Sequence, residues 1–580
     1  MIQLRRQTSC SPARVSVVLG CCLLAFALLL SGAVLRTFVQ SDLLESEAVK
    51  RYLGKSDLDG ERGRLLDRNG RPLAASGITY SVHVNPRLFR SQLTGDQPQS
   101  EPLLPLLANW LDIEVAELDE KLQRDSGFAY LRKGISPEQR QHLAGLLRER
   151  GIAHIGFEAY HERYYPSAQE AAHLIGFIDH QQTGREGLEA LLQPRLAPQP
   201  GFSRYIKSQD GQAVEIIDER SPANGEDIWL TIDARLQYLA SAALANIVER
   251  HDAESASLVM IDAYTGEVLV MANFPSYNPN MRTGNPDHRR NRVVQDTFEP
   301  GSTMKPIITA LAIEAGLVKP ETMLATGKPL VIGRNVIKDE KIDTDISVQE
   351  MIMRSSNNGA GRIAGMIDDD AMWQGYRNFG FGDRALLSLP GETPGRLRHY
   401  SQWKPIDKAS MSWGYSLSSN LLQLARAYAV FANGGRLVAP RLVVDENEKT
   451  PEPLQIISPK TATAMVQIME TVTSDKGTAP RARISGYRVA GKTGTALKWS
   501  DENTDYSSNV YQSMFVGLAP ASDPRFVGAV FVDTPRRNGY YGGTVAAPVF
   551  ARIMEHSLRL YSVPPDLSTA PDGSFTAMVR

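Results

Sequence analysis

The sequence predicts an α+β protein that is anchored by one N-terminal transmembrane helix, and three observations support this prediction. A chain of 580 residues is longer than one hydrophobic core normally organises, so two or more domains are expected. A long uncharged run lies near the N-terminus. Strand-like runs occur at both ends of the region from about 228 to 562, with helical stretches between them, as in an α+β domain with an antiparallel sheet.

Composition and charge exclude several classes of protein. Apolar residues make up 42% and charged residues 22%, which is typical of a globular chain. The formal net charge of −2 gives no electrostatic reason to expect a nucleic-acid partner, and none is predicted. The three cysteines, Cys10, Cys21 and Cys22, all precede residue 23, and no close His/Asp/Glu cluster occurs. The sequence therefore predicts no disulfide framework, no metal site and no cofactor.

The uncharged run defines the predicted anchor. Residues 15–35 are 21 residues without a charge, and a helix of that length spans about 30 Å, enough to cross a bilayer. Three arginines precede the run and three acidic residues follow it, so residues 1–14 are expected in the cytoplasm and everything after the 15–36 anchor outside. A cleaved signal peptide is the alternative, with a cleavage site near 31–33. The length of the run favours an uncleaved anchor.

The segments between the anchor and the α+β domain are mixed in character. Residues 37–60 are predicted as a polar, partly helical connector, and 61–220 as a mixed segment with helical patches near 102–119 and 137–151. The turn-forming cluster at 221–225 separates this segment from the region that follows.

The region after the turn alternates between strand and helix signals. Predicted strands and helices follow in chain order: strand 227–232, helix 236–250, hairpin 257–271, helices 303–315 and 421–433, and strands 489–490, 514–518 and 526–532. The tail, 563–580, contains three prolines and is predicted to be flexible.

One motif in this region has a competing interpretation. Residues 486–493 satisfy the phosphate-loop pattern GxxxxGK[ST], which requires a buried strand before its first Gly and a helix after its Thr. Gly494 lies where that helix would have to be established, so the nucleotide-binding interpretation is rejected. The chain also lacks the HExxH motif of zinc peptidases and the GxSxG motif of α/β-hydrolases.

The stronger signal is an SxxK pair at the start of a predicted helix. Ser302 and Lys305 are three residues apart, so their side chains share one helix face. A serine at a helix N-terminus lies at the positive end of the dipole, and a partly desolvated lysine loses its proton and acts as a base. Alone the pattern is weak, because Ser401 and Lys404 match it too.

Two further motifs follow in order. The SxN motif begins 53 residues later at Ser355 and ends at Asn357, and residues 492–495 read KTGT after a short apolar run. A strand edge that carries a Gly lets a substrate backbone lie alongside, while the lysine and the two hydroxyls of KTGT bind a carboxylate. SxN is weak alone, since 418–420 and 507–509 also match it. The order SxxK, SxN, KTGT over 194 residues favours one catalytic site.

These motifs resemble those of the penicillin-binding proteins, over roughly residues 60–562. The stretch 298–306 (FEPGSTMKP) is similar to the nucleophile motif of the class B division transpeptidases, the FtsI-like branch, and 62–70 (RGRLLDRNG) to the first motif of the class B pedestal domain. Residues 163–166 and 184–189 resemble later pedestal motifs, and nothing in the pedestal resembles a glycosyltransferase. Asn358 departs from the family, which more often carries an apolar residue there.

The resemblance implies a domain order and a set of residue roles. Residues 37–225 would form the pedestal and 226–562 the transpeptidase domain. Ser302 would be the acylating nucleophile, Lys305 its base and Ser355 a proton relay, with Asn357 orienting Lys305 and the substrate amide. The terminal D-Ala carboxylate would be held by the remaining motif: Lys492, Thr493, Gly494 and Thr495. The N–H groups of Ser302 and Thr495 would form the oxyanion hole, at about 3–4 kcal/mol per donor.

The implied activity is the cross-linking of peptidoglycan stem peptides that end in D-Ala-D-Ala, at the division septum and with inhibition by β-lactams. The membrane, a lipid-linked glycan polymerase and other division proteins are the implied partners. Tyr511, Tyr540 and Tyr541 fall where the family keeps aromatic residues near the site. The sequence is equally compatible with contact to a ligand and with a role in the hydrophobic core for these three residues. The alternatives are an elongation-type transpeptidase, a penicillin-binding receptor or scaffold without transfer, and a serine β-lactamase or carboxypeptidase.

Overall fold

The computed structural model describes residues 11–39, 52–93, 103–207, 213–281, 284–339, 342–385, 387–444, 452–500, 505–569 and 575–577. The chain divides into two compact units, 1–61 with 198–224 and 62–197 with 225–580. The α+β fold is confirmed, because the larger unit combines an antiparallel sheet with helices.

The smaller unit contains a long apolar helix and a small sheet. The helix Pro12–Val34 continues as a π-helical turn, Leu35–Val39, and no residue of Pro12–Val34 is buried. Its apolar part spans 26 residues, which is long and apolar enough to cross a membrane. The sheet is antiparallel and pairs Leu53–Leu58 with Gly201–Lys207, which pairs in turn with Ala213–Arg220. Residues 53–58, predicted within a partly helical connector, are thus a strand, since backbone pairing across 150 residues outweighs local propensity.

Residues 62–197 of the larger unit have a sheet and a separate apolar core. The long strand Pro72–Val84 pairs antiparallel with Leu65–Leu66, Ala129–Ile135 and Ile155–Tyr164, and Leu65–Leu66 pairs in parallel with Ile228–Trp229. Four helices accompany this sheet: Pro86–Leu93, Leu103–Leu111, Val115–Gln123 and Pro137–Glu149. The last three confirm the helical patches predicted near 102–119 and 137–151. Three short helices follow: Ala172–Ile175, Gly187–Leu191 and Gln193–Leu196.

A buried charge network holds the 62–70 motif in place. Glu189 is fully buried and accepts from Arg62 Nε at 2.8 Å and from Arg163 Nε at 2.7 Å. Further along the motif, Asp67 accepts from the backbone N–H groups of Asn69 and Arg71, and from that of Ala234 at the start of helix Ala234–His251. The motif therefore connects residues 62–197 to the domain that follows.

The sheet of the 226–562 region has five antiparallel strands. In spatial order they are Val268–Phe274, Ser255–Asp262, Phe526–Asp533, Asp505–Ala519 and Ala490–Ser500. Helices Ala234–His251 and Gly542–Leu560 pack against it, as does the buried helix Leu421–Ala432. The predicted 257–271 hairpin and the later strands are confirmed. Ala490–Ser500, hereafter the edge strand, pairs on one side only among the described strands.

The remaining elements surround this sheet. The other helices, including 3-10 turns, are Pro286–Arg289, Arg292–Gln295, Gly301–Met304, Lys305–Glu314, Val348–Arg354, Asn357–Met366, Asp369–Asn378, Tyr400–Gln402, Pro405–Ser412, Pro459–Glu470, Thr471–Thr473 and Pro480–Ala482. The short paired strands are Met323–Leu324 with Ile346–Ser347, Leu330–Ile332 with Asn335–Ile337, Arg436–Leu437 with Leu454–Gln455, and Leu567–Thr569 with Phe575–Ala577.

The predicted flexible tail is hydrogen-bonded at its beginning. Asp566 is buried, and its carboxylate accepts from the backbone N–H groups of Arg488 at 2.6 Å and Ser522 at 3.1 Å. The N–H of Leu567 donates to the carbonyl of Gly486. One buried carboxylate thus joins the beginning of the tail to two loops, and the flexibility of 563–580 stays a prediction.

Candidate active site

Ser302 lies in the first turn of a helix, directly after a glycine that allows the chain to turn into it. Gly301 has a φ of +55°, which favours glycine, and the 3-10 turn Gly301–Met304 runs directly into helix Lys305–Glu314. One turn later, Lys305 Nζ lies 3.0 Å from Ser302 Oγ. The structure thus brings the predicted pair together, with the hydroxyl partly accessible and the lysine fully buried.

The surroundings of Lys305 favour its neutral form. Burial lowers the pKa of Lys305 well below its ordinary value, the charge of Lys492 lowers it further, and Asp339 opposes the shift. Its Nζ lies 2.6 Å from the carbonyl oxygen of Ser355 and 3.1 Å from Ser355 Oγ. A neutral amine in this position is able to accept the hydroxyl proton of Ser302.

Ser355 is presented to both lysines by a special backbone conformation. It ends helix Val348–Arg354 with a φ of +62°, in the left-handed region, which turns its carbonyl and its hydroxyl toward Lys305. Lys492 Nζ donates to the same hydroxyl at 2.9 Å. Ser302, Lys305, Ser355 and Lys492 therefore form one hydrogen-bonded row, hereafter the Ser–Lys–Ser–Lys row.

Asn357 lies two residues after Ser355, and its predicted orientation of Lys305 and the substrate amide stays a prediction. It is exposed at the start of helix Asn357–Met366, and no hydrogen bond among the described residues joins it to Lys305. The helix is held by Asp339, which accepts from the Ser356 hydroxyl and from the N–H groups of Asn357 and Asn358. Sequence reasoning missed Asp339, because it lies in a polar stretch without periodicity and reaches the site only through the fold.

The KTGT residues lie on the edge strand but do different things. Lys492 is fully buried, and burial lowers its pKa to about 7. The hydroxyl of Thr493 pairs with that of Thr478 at 2.8 Å, a partner that no sequence signal indicated. Thr495 Oγ1 accepts from the N–H of Gly542 at 3.1 Å, at the start of helix Gly542–Leu560. The Thr495 hydroxyl proton therefore remains available to a ligand.

Gly494 has a packing role, and its predicted place beside a substrate stays a prediction. A Cβ on Gly494 would lie 3.1 Å from Thr303 Cγ2 and 3.2 Å from the carbonyl oxygen of Pro300. Both atoms belong to the stretch 298–306 that carries Ser302, hereafter the nucleophile segment. Glycine at this position thus lets that segment pack against the edge strand.

The aromatic trio forms a stack at the surface. The rings of Tyr511 and Tyr540 lie 3.9 Å apart and nearly parallel, and Tyr541 follows at 4.5 Å. Tyr511 and Tyr540 are half-buried and Tyr541 is 58% exposed, so a core role does not describe them.

The competing motifs have structural roles. Ser401 is exposed in a 3-10 turn and contacts His399, with no described bond to Lys404. Residues 490–493 of the phosphate-loop pattern lie on the edge strand, where the helix that such a loop requires is replaced by a strand.

Comparison with known proteins gives consistent results. Residues 256–555 match the penicillin binding protein transpeptidase domain, and 57–230 match the penicillin-binding protein dimerisation domain. The chain is 35% identical over 561 residues to a probable peptidoglycan D,D-transpeptidase PenA from Neisseria gonorrhoeae, covering 96% of this chain and 94% of that one. It is 35% identical over 566 residues to the peptidoglycan D,D-transpeptidase FtsI of Escherichia coli K12, with the same coverages.

A solved structure extends the likeness to the fold. Penicillin binding protein 3 from Mycobacterium tuberculosis, complexed with aztreonam, gives a TM-score of 0.68 at 25% identity and covers 90% of this chain and 100% of its own. The family predicted from the motifs is thereby confirmed: the chain belongs to the class B penicillin-binding proteins and is an FtsI-like transpeptidase.

Proposed function

We propose that this protein cross-links peptidoglycan stem peptides ending in D-Ala-D-Ala through an acyl-enzyme on Ser302. The observation that carries the proposal is the Ser–Lys–Ser–Lys row, which places a buried lysine of lowered pKa against the Ser302 hydroxyl. The curated relatives from N. gonorrhoeae and E. coli are named peptidoglycan D,D-transpeptidases, which supports the same substrate here.

In the acylation step, neutral Lys305 accepts the Ser302 proton as Oγ attacks the carbonyl carbon of the penultimate D-Ala. An ester C–O bond forms, the peptide C–N bond breaks and the terminal D-Ala leaves. Its amine takes a proton from Ser355 Oγ, which is re-protonated from Lys305 at 3.1 Å.

Two backbone N–H groups are placed to stabilise the oxyanion of this step. Ser302 lies in the first turn of its helix, where N–H groups have no intrahelical acceptor. The N–H of Thr495 faces the open side of the edge strand, because the N–H of Leu497, two residues later, donates to Tyr415 Oη on that side. Each donor contributes about 3 kcal/mol to transition-state stabilisation. The Thr495 hydroxyl binds the substrate carboxylate, while buried Lys492 contributes positive charge and Thr493 is shared with Thr478.

In the second step, the side-chain amine of a neighbouring stem attacks the ester. The amine gives up a proton through Ser355 to Lys305, a C–N bond forms, the ester C–O bond breaks, and Lys305 returns that proton to Ser302. A β-lactam imitates D-Ala-D-Ala and leaves Ser302 acylated. The related M. tuberculosis protein was crystallised with aztreonam, a β-lactam, which supports the same inhibition here.

The site of action is the periplasmic side of the inner membrane. The 15–36 helix is a single-pass anchor with the N-terminus cytoplasmic, residues 37–225 form the pedestal and 226–562 the transpeptidase domain. The FtsI relative and the Phe298-Glu299 lead-in support a role at the division septum, with a lipid-linked glycan polymerase and other division proteins as partners.

Intact-mass analysis after incubation with benzylpenicillin tests the chemistry. One adduct is expected on the wild type and on Ser401→Ala, the control at the competing SxxK motif, and none on Ser302→Ala. An adduct that survives Ser302→Ala refutes the assignment, and rapid loss of the adduct identifies a β-lactamase. For the septal role, a fluorescent fusion should concentrate at the division site. Labelling along the side wall would instead indicate the elongation type.

A further inference from the structure

A cleft of about 800 Å³ lies beside the edge strand, and the mechanism above gives it no role. Four stretches and Gln512 line it: 297–299, residues 393–396 with 398, 416–418 and 497–499. The first stretch leads directly into the nucleophile segment, and the last continues the edge strand beyond Thr495. The cleft therefore borders the place where the donor peptide reacts.

The backbone of the edge strand shows how far a peptide is able to pair with it. The N–H of Leu497 donates to Tyr415 Oη at 3.2 Å, so this N–H points away from the neighbouring strand. Backbone groups alternate along a strand, so the N–H of Thr495 points the same way and is open to a ligand. A peptide that adds to this edge is able to form a backbone hydrogen bond with the N–H of Thr495. It is unable to do so at Leu497, because the N–H of Leu497 already donates to the Tyr415 hydroxyl. The bound chain must leave the edge there, next to the cleft.

The wall of the cleft is fixed by backbone hydrogen bonds to the nucleophile segment. Phe298 and Ser419 exchange N–H···O bonds at 3.0 Å in both directions. Arg396 and Ser418 do the same at 2.9 and 3.0 Å. The backbone of Arg396 is thereby held at a set position relative to Ser302.

Among the four charged residues that line the cleft, Arg396 is the one whose side chain makes no described ion pair or hydrogen bond. Arg398 pairs with Asp407 at 3.1 Å, and Lys498 pairs with Glu254 and Asp533, each at 2.9 Å. Glu299 accepts from the N–H of Ser416 at 2.9 Å. Arg396 is exposed and lines the cleft into which the chain is diverted, so its guanidinium is available to a carboxylate.

We propose that the cleft is a binding subsite for a carboxylate carried by the donor stem, upstream of D-Ala-D-Ala, and that Arg396 is its specificity-determining residue. This rests on the proposed function. Tyr415 ends strand pairing at Leu497 and directs the upstream residues into the cleft. The distance from Thr495 to Leu497 along a strand is about 7 Å, so the carboxylate lies two or three residues upstream of the scissile bond.

Two penicillins that differ by one charge test the subsite on the full chain in detergent. One carries an adipoyl side chain with a free terminal carboxylate, and the other carries its terminal carboxamide. The wild type should be acylated at Ser302 about fivefold faster by the carboxylate, in keeping with an exposed charge pair, and this preference should weaken as salt is raised. Arg396→Gln should remove the preference without changing the carboxamide rate, and Arg396→Lys should retain part of it.

Arg384→Gln, at an exposed arginine outside the cleft, is the matched control and should keep the full preference. Equal rates for the two penicillins on the wild type, or a preference that Arg396→Gln preserves, would overturn the subsite and leave the acyl-enzyme intact. No acylation of Ser302 by either compound would overturn the proposed function itself.

Discussion

Replacing Lys492 by Met is expected to stabilise the protein while it abolishes acylation. The Lys492 side chain is fully buried, and burial lowers its pKa from the ordinary 10.5 to about 7. Between pH 7 and 10.5 the unfolded chain therefore binds more protons than the folded chain, so the stability of the wild type rises with pH through that window. At 1.36 kcal/mol per pKa unit, burying this lysine costs about 4 kcal/mol at pH 7 and about 2 kcal/mol at pH 9.

Methionine has a similar length and no charge, so it fills the site without this cost. It also removes the donations to Ser355 Oγ at 2.9 Å and to the Thr493 carbonyl at 3.2 Å, at about 1 kcal/mol each. The variant should therefore be more stable than the wild type by about 2 kcal/mol at pH 7, and about equally stable at pH 9. Urea unfolding of the full chain in detergent, followed by tryptophan fluorescence at both pH values, measures this difference.

Lys460→Met is the matched control, because Lys460 is exposed on helix Pro459–Glu470 and its replacement should shift stability little and equally at both pH values. A stability difference between Lys492→Met and the wild type that stays the same at pH 7 and pH 9 would refute the reasoning. A desolvated ammonium must produce that pH dependence.

Three other outcomes follow from the same contacts. The rate of Ser302 acylation by penicillin should rise with pH as Lys305 loses its proton, and it should fall again as Lys492 loses its charge near pH 7. An acylation rate that is flat from pH 5 to 9 contradicts this. Glu189→Gln leaves two buried arginines without their carboxylate and should lower the free energy of unfolding by at least about 3 kcal/mol, whereas exposed Glu149→Gln should change it little. Asn358→Leu introduces the apolar residue that the family more often carries, but it removes the amide donations to the carbonyls of Thr326 and Lys328. The melting temperature of this variant should therefore fall by several degrees below that of the wild type. An equal or higher melting temperature contradicts the role given to the amide.

What the sequence predicts well in this protein is local. Ser302 and Lys305 share one helical turn, so a spacing of three residues was sufficient to place their side chains together. The sheet strands were predicted because their β-branched and aromatic runs are bounded by turn residues, although the edge strand extends from Ala490 to Ser500, well beyond the predicted 489–490. The polar residues after Ala490 interrupt the apolar pattern, so that pattern offered no reason to extend the predicted strand through them.

Contacts between distant segments were not predictable in this way. Asp339 and Tyr415 reach the site from loops, and no spacing rule relates them to Ser356 or Leu497. The role of Asn357 toward Lys305 came from the family resemblance, and the structure places the two residues without a hydrogen bond. Asn358, the departure from the family, is explained by the fold: its fully buried amide holds the 326–328 segment and accepts from Arg362.

The two lysines of the row explain how a proton moves through a site with little access to water. Both Nζ atoms lie near the same Ser355 hydroxyl, at 3.1 Å for Lys305 and 2.9 Å for Lys492, and both side chains are fully buried. Two charges in that position repel each other strongly, so the resting site holds one, and it lies on Lys492, whose charge is among the causes that lower the pKa of Lys305. When Lys305 takes the Ser302 proton, both become charged, and the repulsion favours passing that proton on through Ser355 to the leaving amine. We infer that Lys492 acts by driving this transfer, which a neutral residue of the same size is unable to do.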